Sequence, residues 1–172
     1  KGPPSNNIRV LTEDDKGNIW IGTEEDGIAK FNKTDEKFTE YKRIEGVNSL
    51  SHNNIKSLYY DEKGILWIGT NGGGLDAFDL EAEKFYSYTE EDGLANNVIY
   101  GILPDEEGNL WLSSNKGISK FTPGDSLEGT PLITNYDNYA GLATKFNTGA
   151  YHTDGEGNLY FGGLDGFYWF KA

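Results

Sequence analysis

Cysteine and methionine are both missing from this 172-residue chain, and proline occurs only five times. Without cysteine there are no disulfides and no thiolate metal sites. Hydrophobic residues make up 36% of the chain, and nothing approaches the ~20 consecutive apolar residues that a membrane helix needs. No secretory leader is recognisable, and the start at Lys1 reads as a processed chain or an excised piece. Basic residues are scarce: 15 Lys and Arg stand against 28 Asp and Glu, a formal charge of −13. That balance argues against a nucleic-acid partner, whose phosphates call for basic patches, and against direct contact with an anionic membrane. The acids scatter through the turns as a solvated surface.

What is abundant is glycine, at 23 residues, and aromatic side chains, at 14%. Both are organised by repetition. The stretch from Asp61 to Thr70, DEKGILWIGT, is written four times in variant form, the other copies starting at Asp14, Asp105 and Asp154. Each has an Asp six residues before an aromatic and a Gly three before it. The aromatics, Trp20, Trp67, Trp111 and Tyr160, are 47, 44 and 49 residues apart, close to the period of a four-stranded propeller blade.

The chain in order supports that period. In the first unit, 8–14, 19–23, 28–31 and 37–41 read as strands, separated by turns such as 15–18, whose Gly17 and Asn18 suit positive φ. The second unit repeats the order at 55–60, 66–70, 75–78 and 84–88, and the third at 99–103, 110–113, 118–121 and 132–136. The fourth offers 148–153, 159–162 and 167–170 and no fourth strand. The expected fold is therefore all-β, with four-stranded antiparallel blades in repeats of about 5–50, 51–94, 95–142 and 143–172. Three complete blades plus three strands favour an arc of a larger propeller over a closed four-bladed ring, since open sheet edges are a liability.

Asn-Asn-Ile/Val at 6–8, 53–55 and 96–98, followed by Asp-x-x-Gly-Asn-x-Trp-Ile-Gly-Thr and then Gly-Ile/Leu, resembles the two-component regulator propeller repeat. That repeat builds the periplasmic sensor region of hybrid two-component histidine kinases of Bacteroidetes. Residues 146–170 are similar to its last propeller repeat, which in the family leads into a β-sandwich, a membrane helix and a kinase. The resemblance implies a periplasmic, non-catalytic sensor of glycan-derived oligosaccharides. Its partners would be the remaining blades and a following β-sandwich domain, or a second copy completing the ring.

Repetition also separates scaffold from function. Residues that recur, the four aromatics and the four Asp, serve the blade: the rings as packing between sheets, the carboxylates as acceptors that hold each hairpin turn. A calcium loop is a poor fit, because Asp-x-x-Gly-Asn lacks its ligand spacing. Positions that vary are free to serve a ligand. Eleven residues before each aromatic stand Arg9, Lys56, Tyr100 and Gly149, near the start of the strand that lines a propeller's channel. With His52 and Asn115 in loops on that face, and Tyr139 in the least repeat-like connection, they form the candidate ligand-binding set. No catalytic residue, metal ligand or cofactor is assigned. There is no Ser-His-Asp grouping at a nucleophile elbow and no His-rich metal pattern. Arg9 and Arg43 are too few for a sialidase-type cluster. A propeller enzyme acting on glycans, by hydrolysis or elimination, and a purely structural scaffold are the alternatives.

Overall fold

The computed structural model describes residues 5–137 and 145–172. Four antiparallel sheets follow one another along the chain, each a simple meander. Blade 1 is β1 (Ile8–Glu13), β2 (Ile19–Thr23), β3 (Ile28–Asn32) and β4 (Lys37–Tyr41). Blade 2 is β5 (Ile55–Tyr60), β6 (Ile65–Thr70), β7 (Leu75–Asp79) and β8 (Lys84–Tyr88). Blade 3 is β9 (Ile99–Pro104), β10 (Leu110–Ser114), β11 (Gly117–Thr122) and β12 (Leu132–Tyr136). Blade 4 has three strands, β13 (Phe146–Thr153), β14 (Asn158–Gly163) and β15 (Gly166–Lys171). The blade architecture expected from the sequence is what the structure has. Among the described residues, one element had no counterpart in that reading, a 3-10 turn at Glu90–Asp92, capped by Thr89 and Gly93.

Alternation along each strand gives every blade two different faces. The front face carries the repeated aromatic, and the rear face carries a ladder of Leu, Ile and Phe. Trp20 and Ile28 of blade 1 share a core with Leu58, Leu66, Ile68, Phe78 and Phe85 of blade 2. Trp67 and Leu75 of blade 2 meet Ile102, Leu110, Leu112 and Phe121 of blade 3. Trp111 and Ile118 of blade 3 meet Leu159 and Phe161 of blade 4. Rings touch across these seams at 5.9 Å for Trp20 and Phe78, 5.6 Å for Trp67 and Phe121, and 4.7 Å for Trp111 and Phe170. Each buried ring contributes on the order of 2–3 kcal/mol. The first strands also pack side by side, β1 on β5, β5 on β9 and β9 on β13, while β13 has no comparable packing against β1. The blades form an open run.

The turn that makes each first hairpin is fixed by the recurring Asp, and in more ways than holding the turn. Asp14 Oδ1 accepts the main-chain N–H groups of Lys16 and Asn18 at 3.0 and 2.9 Å. Its Oδ2 accepts the indole N–H of Trp20 at 2.9 Å. The same bond recurs from Trp67 to Asp61 at 2.8 Å, from Trp111 to Asp105 at 2.9 Å, and from the Tyr160 hydroxyl to Asp154 at 3.0 Å. The carboxylate thus ties the turn to the ring that fills the next seam, giving the indole N–H the partner it needs once buried. Gly17 takes φ of 75° as expected, but Asn18 does not share it. Asn18 instead donates its amide to Asp14 at 2.9 Å.

Near the axis the blades approach closely enough to demand small residues. A Cβ on Gly69 would lie 2.1 Å from Ser57 Oγ and 2.7 Å from the Ile99 carbonyl oxygen of the next blade. Gly69→Val is therefore expected to destabilise the chain by about 2–3 kcal/mol through overpacking. Gly155→Ala, in open space with ordinary φ, should change stability by less than ~0.5 kcal/mol. Thermal unfolding followed by circular dichroism compares them, and equal midpoints for the two variants would contradict the close approach.

The Asp105 carboxyl is pushed up by burial, but hydrogen bonds from Asn109, Trp111 and Glu107 outweigh that and hold it below its usual value. Its contribution is then present above the ordinary carboxylate pKa near 3.8 and is lost as pH falls through the lowered value. Asp105→Ala should cost about 2–3 kcal/mol at neutral pH, leaving the Trp111 N–H unpaired. The difference from wild type should shrink in acid. Denaturant titrations at pH 7 and pH 3 measure it, and a pH-independent gap would count against the ionised lock.

Candidate functional site

The described candidates, Arg9, His52, Lys56, Tyr100 and Asn115, lie at the ends of the first strands and in the loops beside them, on the face opposite the Asp-aromatic locks. Arg9 on β1 is anchored by Glu24, its Nη2 2.5 Å from Oε1. Asn7 donates its side-chain amide to the other carboxylate oxygen. Arg9 is the main cause holding the Glu24 carboxyl below its usual value, and Lys56 on β5 of the next blade adds to it. Glu24 is therefore ion-paired with Arg9 and feels the charge of Lys56 without pairing with it.

Tyr100 on β9 donates its hydroxyl to Asn115 Oδ1 at 2.9 Å, so two residues fifteen apart in sequence meet as a phenol–amide pair. Next to it Lys116 pairs with Glu90 at 2.7 Å. His52 stands in the loop leading to β5, where its Nδ1 accepts the Asn54 main-chain N–H at 3.0 Å. The structure thus pairs Arg9 with Glu24, with Lys56 on the next blade acting on that carboxylate through its charge, joins Tyr100 to Asn115, and sets His52 in its own loop. Tyr139 lies outside the described residues. Chemically the set supplies cationic donors, a phenol and an amide, which suits hydroxyl-bearing or anionic ligands. Among the described residues no group of His, Asp and Glu is arranged to hold a metal ion.

The loops bearing these residues are stitched to one another. The Gly27 N–H of blade 1 donates to the Asn53 carbonyl of blade 2 at 2.8 Å, and the Gly74 N–H of blade 2 donates to the Asn97 carbonyl of blade 3 at 2.9 Å. The repeated Asn-Asn pair is a main-chain latch between blades. Glu24 was not legible as Arg9's partner, since that pairing depends on hairpin register. Two concavities lie elsewhere. Clefts of about 340 and 370 Å³ open between blades at the opposite face, beside Asp14 and Trp20 and beside Asp61 and Trp67. None of the five described candidates, Arg9, His52, Lys56, Tyr100 and Asn115, lines them.

One buried charge supports the candidate face from below. Asp76 is wholly buried in β7, where blades 1 and 3 have Ala29 and Ser119. It accepts the Ser51 N–H and hydroxyl, both at 2.9 Å, and the Ser87 hydroxyl at 2.6 Å, so it fastens the loop carrying His52 to the blade's outer strand. An Asp inside the apolar run from Leu75 to Phe78 was the available signal.

With this geometry in hand, the fold defines a segment of a β-propeller. The model of the two-component regulator propeller repeat matches residues 2–25, 49–72 and 93–116 of the chain. It is similar, at 26% identity and a TM-score of 0.79, to the extracellular domain of a protein described as the hybrid two-component system BT4673 of B. thetaiotaomicron; the match covers 98% of this chain and 23% of that one. The extracellular domain of BT3049, described likewise and from the same organism, gives 24% identity and a TM-score of 0.77, over 97% of this chain and 23% of that one. Virginiamycin B lyase of Staphylococcus aureus, at 19% identity and 0.62 over 96% of this chain and 56% of that one, shares the fold. The chain thus spans about a quarter of the length of the two extracellular domains. No curated protein sequence matches it. Among the described residues no helix is long and apolar enough to cross a membrane.

Burial raises the Asp76 carboxyl to about 6, against the hydrogen bonds from Ser87 and Ser51. A carboxyl raised on folding penalises the native state above that value, and the penalty is relieved as pH falls toward 3.8. Relative to Asp76→Asn, the wild type should therefore gain on the order of 2 kcal/mol between pH 7.5 and pH 4.5. Urea unfolding across that range measures it, and parallel pH curves for the two proteins would refute the assignment.

Proposed function

We propose that the chain is a non-catalytic ligand-recognition segment in the periplasmic sensor region of a Bacteroidetes-type hybrid two-component system, and that it takes a glycan-derived oligosaccharide. The observation that carries this reading is the match to the BT4673 extracellular domain along 98% of the chain. The chemistry of the rim is compatible with it. Arg9 and Lys56 donate to hydroxyls or carboxylates, Asn115 both donates and accepts, and the Tyr100 ring offers a face for a pyranose to stack on. Three continuous cores make the blades stiff, so binding is passed on by moving a boundary with a neighbouring domain, such as a following β-sandwich, rather than by deforming the sheets.

Calorimetric titration of the chain with a panel of oligosaccharides released from plant and host glycans tests the reading. Binding of one class without product formation is expected. The combined Arg9→Ala, Lys56→Ala, Tyr100→Phe variant should bind at least ~10-fold more weakly, as expected when a few polar contacts of about 1 kcal/mol or more are lost. Turnover of any panel member by the chain alone would overturn the non-catalytic reading. Undiminished binding by the triple variant would remove the ligand from this rim.

A further inference from the structure

Blade 2 has a neighbouring blade on each side, and its rim differs from theirs in leaving polar side chains without partners. The first strands share an irregularity that makes the three rims comparable. In β1, β5 and β9 the pairing with the next strand skips one residue, from Ile8 to Val10, from Ile55 to Ser57 and from Ile99 to Gly101. The skipped residues are Arg9, Lys56 and Tyr100. A β-bulge of this kind re-aims one side chain, and bulges are over-represented beside functional sites. Across from the three bulges, Glu24, Asn71 and Asn115 directly follow β2, β6 and β10.

In blade 1 the two positions pair, Arg9 with Glu24, and Asn7 adds its amide to the same carboxylate. In blade 3 they pair as well, Tyr100 with Asn115 at 2.9 Å. In blade 2, Lys56 and Asn71 share no hydrogen bond, and among the described residues neither side chain has a hydrogen-bond or ion-pair partner. His52 completes the group. Its Nδ1 accepts the Asn54 N–H at 3.0 Å, which places the proton of the neutral ring on Nε2. That edge of the ring lies beside Gly72, where a Cβ would be 3.9 Å from Nε2, and Gly72 follows Asn71. The Asn71 N–H in turn donates to the Asn54 carbonyl at 2.9 Å. His52, Lys56 and Asn71 are all half-buried.

Two further groups mark this blade. Asn54 Oδ1 is buried with no donor, the one such side-chain atom among the described residues. Asp76, buried in β7, holds Ser51 of the same loop through its N–H and hydroxyl. Buried polar groups that a core would avoid concentrate where a structure serves something besides its own packing.

We propose that the blade 2 rim takes an anionic group of the ligand, a carboxylate or a sulfate, with the Lys56 ammonium as counter-ion and the His52 Nε2–H and Asn71 amide as donors. The inference rests on the reading that the rim binds a saccharide, and it narrows that ligand to an acidic one. The neighbouring carboxylate, Glu24, is already engaged by Arg9 and Asn7. Charge-assisted hydrogen bonds to an anion are stronger than bonds from the same donors to a hydroxyl, so the group favours acidic sugars. The net charge of −13 repels an anion at a distance, so the preference comes from these contacts rather than from the overall field.

Calorimetric titration with paired probes tests it. One pair is oligogalacturonides and their methyl-esterified forms, which isolates the carboxylate. The other is carrageenan oligosaccharides and their desulfated forms, which isolates the sulfate. In one pair the acidic member should bind at least ~10-fold more tightly than its neutral counterpart. Lys56→Gln should erase that preference and Asn71→Ala should reduce it, both with the thermal midpoint of wild type. Lys63→Gln removes the same charge from the turn between β5 and β6, and should keep the preference. Neutral members that bind as tightly as acidic ones, or a preference that survives Lys56→Gln, would overturn the inference and leave the saccharide reading standing. So would binding of neutral plant or host oligosaccharides with none of either acidic probe. Binding of no saccharide at all would overturn both.

Discussion

The fold depends on one packing event made again and again: an indole held by an aspartate on one sheet, inserted against a ladder of Leu, Ile and Phe on the next. No sheet here can bury both of its faces alone. Trp20, Trp67 and Trp111 each belong by hydrogen bonding to their own hairpin and by packing to their neighbour. Local turn geometry and inter-blade cohesion are therefore coupled through a single side chain. That is the economy of repeat architectures, in which stability comes from nearest-neighbour interfaces added to modest intrinsic unit stability.

The same coupling explains how much of the molecule could be read from its sequence. The strands announced themselves because Asp-x-x-Gly-Asn punctuates them and because a buried strand such as residues 65–70 is a run of β-formers with no polar face. The role of Asp14 in the turn was legible, but its bond to Trp20 was not, since it spans a hairpin whose register is set in three dimensions. The candidate face was legible only in outline. Repetition marked Arg9, Lys56 and Tyr100 as variable, while Glu24 and Asn115 emerged as their partners from the way loops converge at the strand ends. Asp76 broke a local rule, a carboxylate within an apolar strand, and such violations tend to mark places where a structure serves something besides its own core.

Division of labour between the two ends of the blades follows from this. One end is committed to the locks, where every hairpin repeats the same bonds. The other carries residues that differ from blade to blade, stitched by main-chain bonds through the Asn-Asn pairs. Variation is tolerated there because main-chain bonds between blades supply much of the hold on the loops, with side chains such as Asp76 adding to it. A rigid frame that leaves its rim free to differ is the arrangement on which recognition surfaces are usually built.

If inter-blade packing is the main source of order, protection against exchange must follow burial between blades rather than position along the chain. Native-state hydrogen exchange measures this strand by strand. The slowest amides are expected in β6 and β10, which are buried along their whole length between two neighbours, and faster exchange in β1 and β15, each covered on one face and largely exposed. Equal protection in all four blades, or slowest exchange in β1 or β15, would contradict the account.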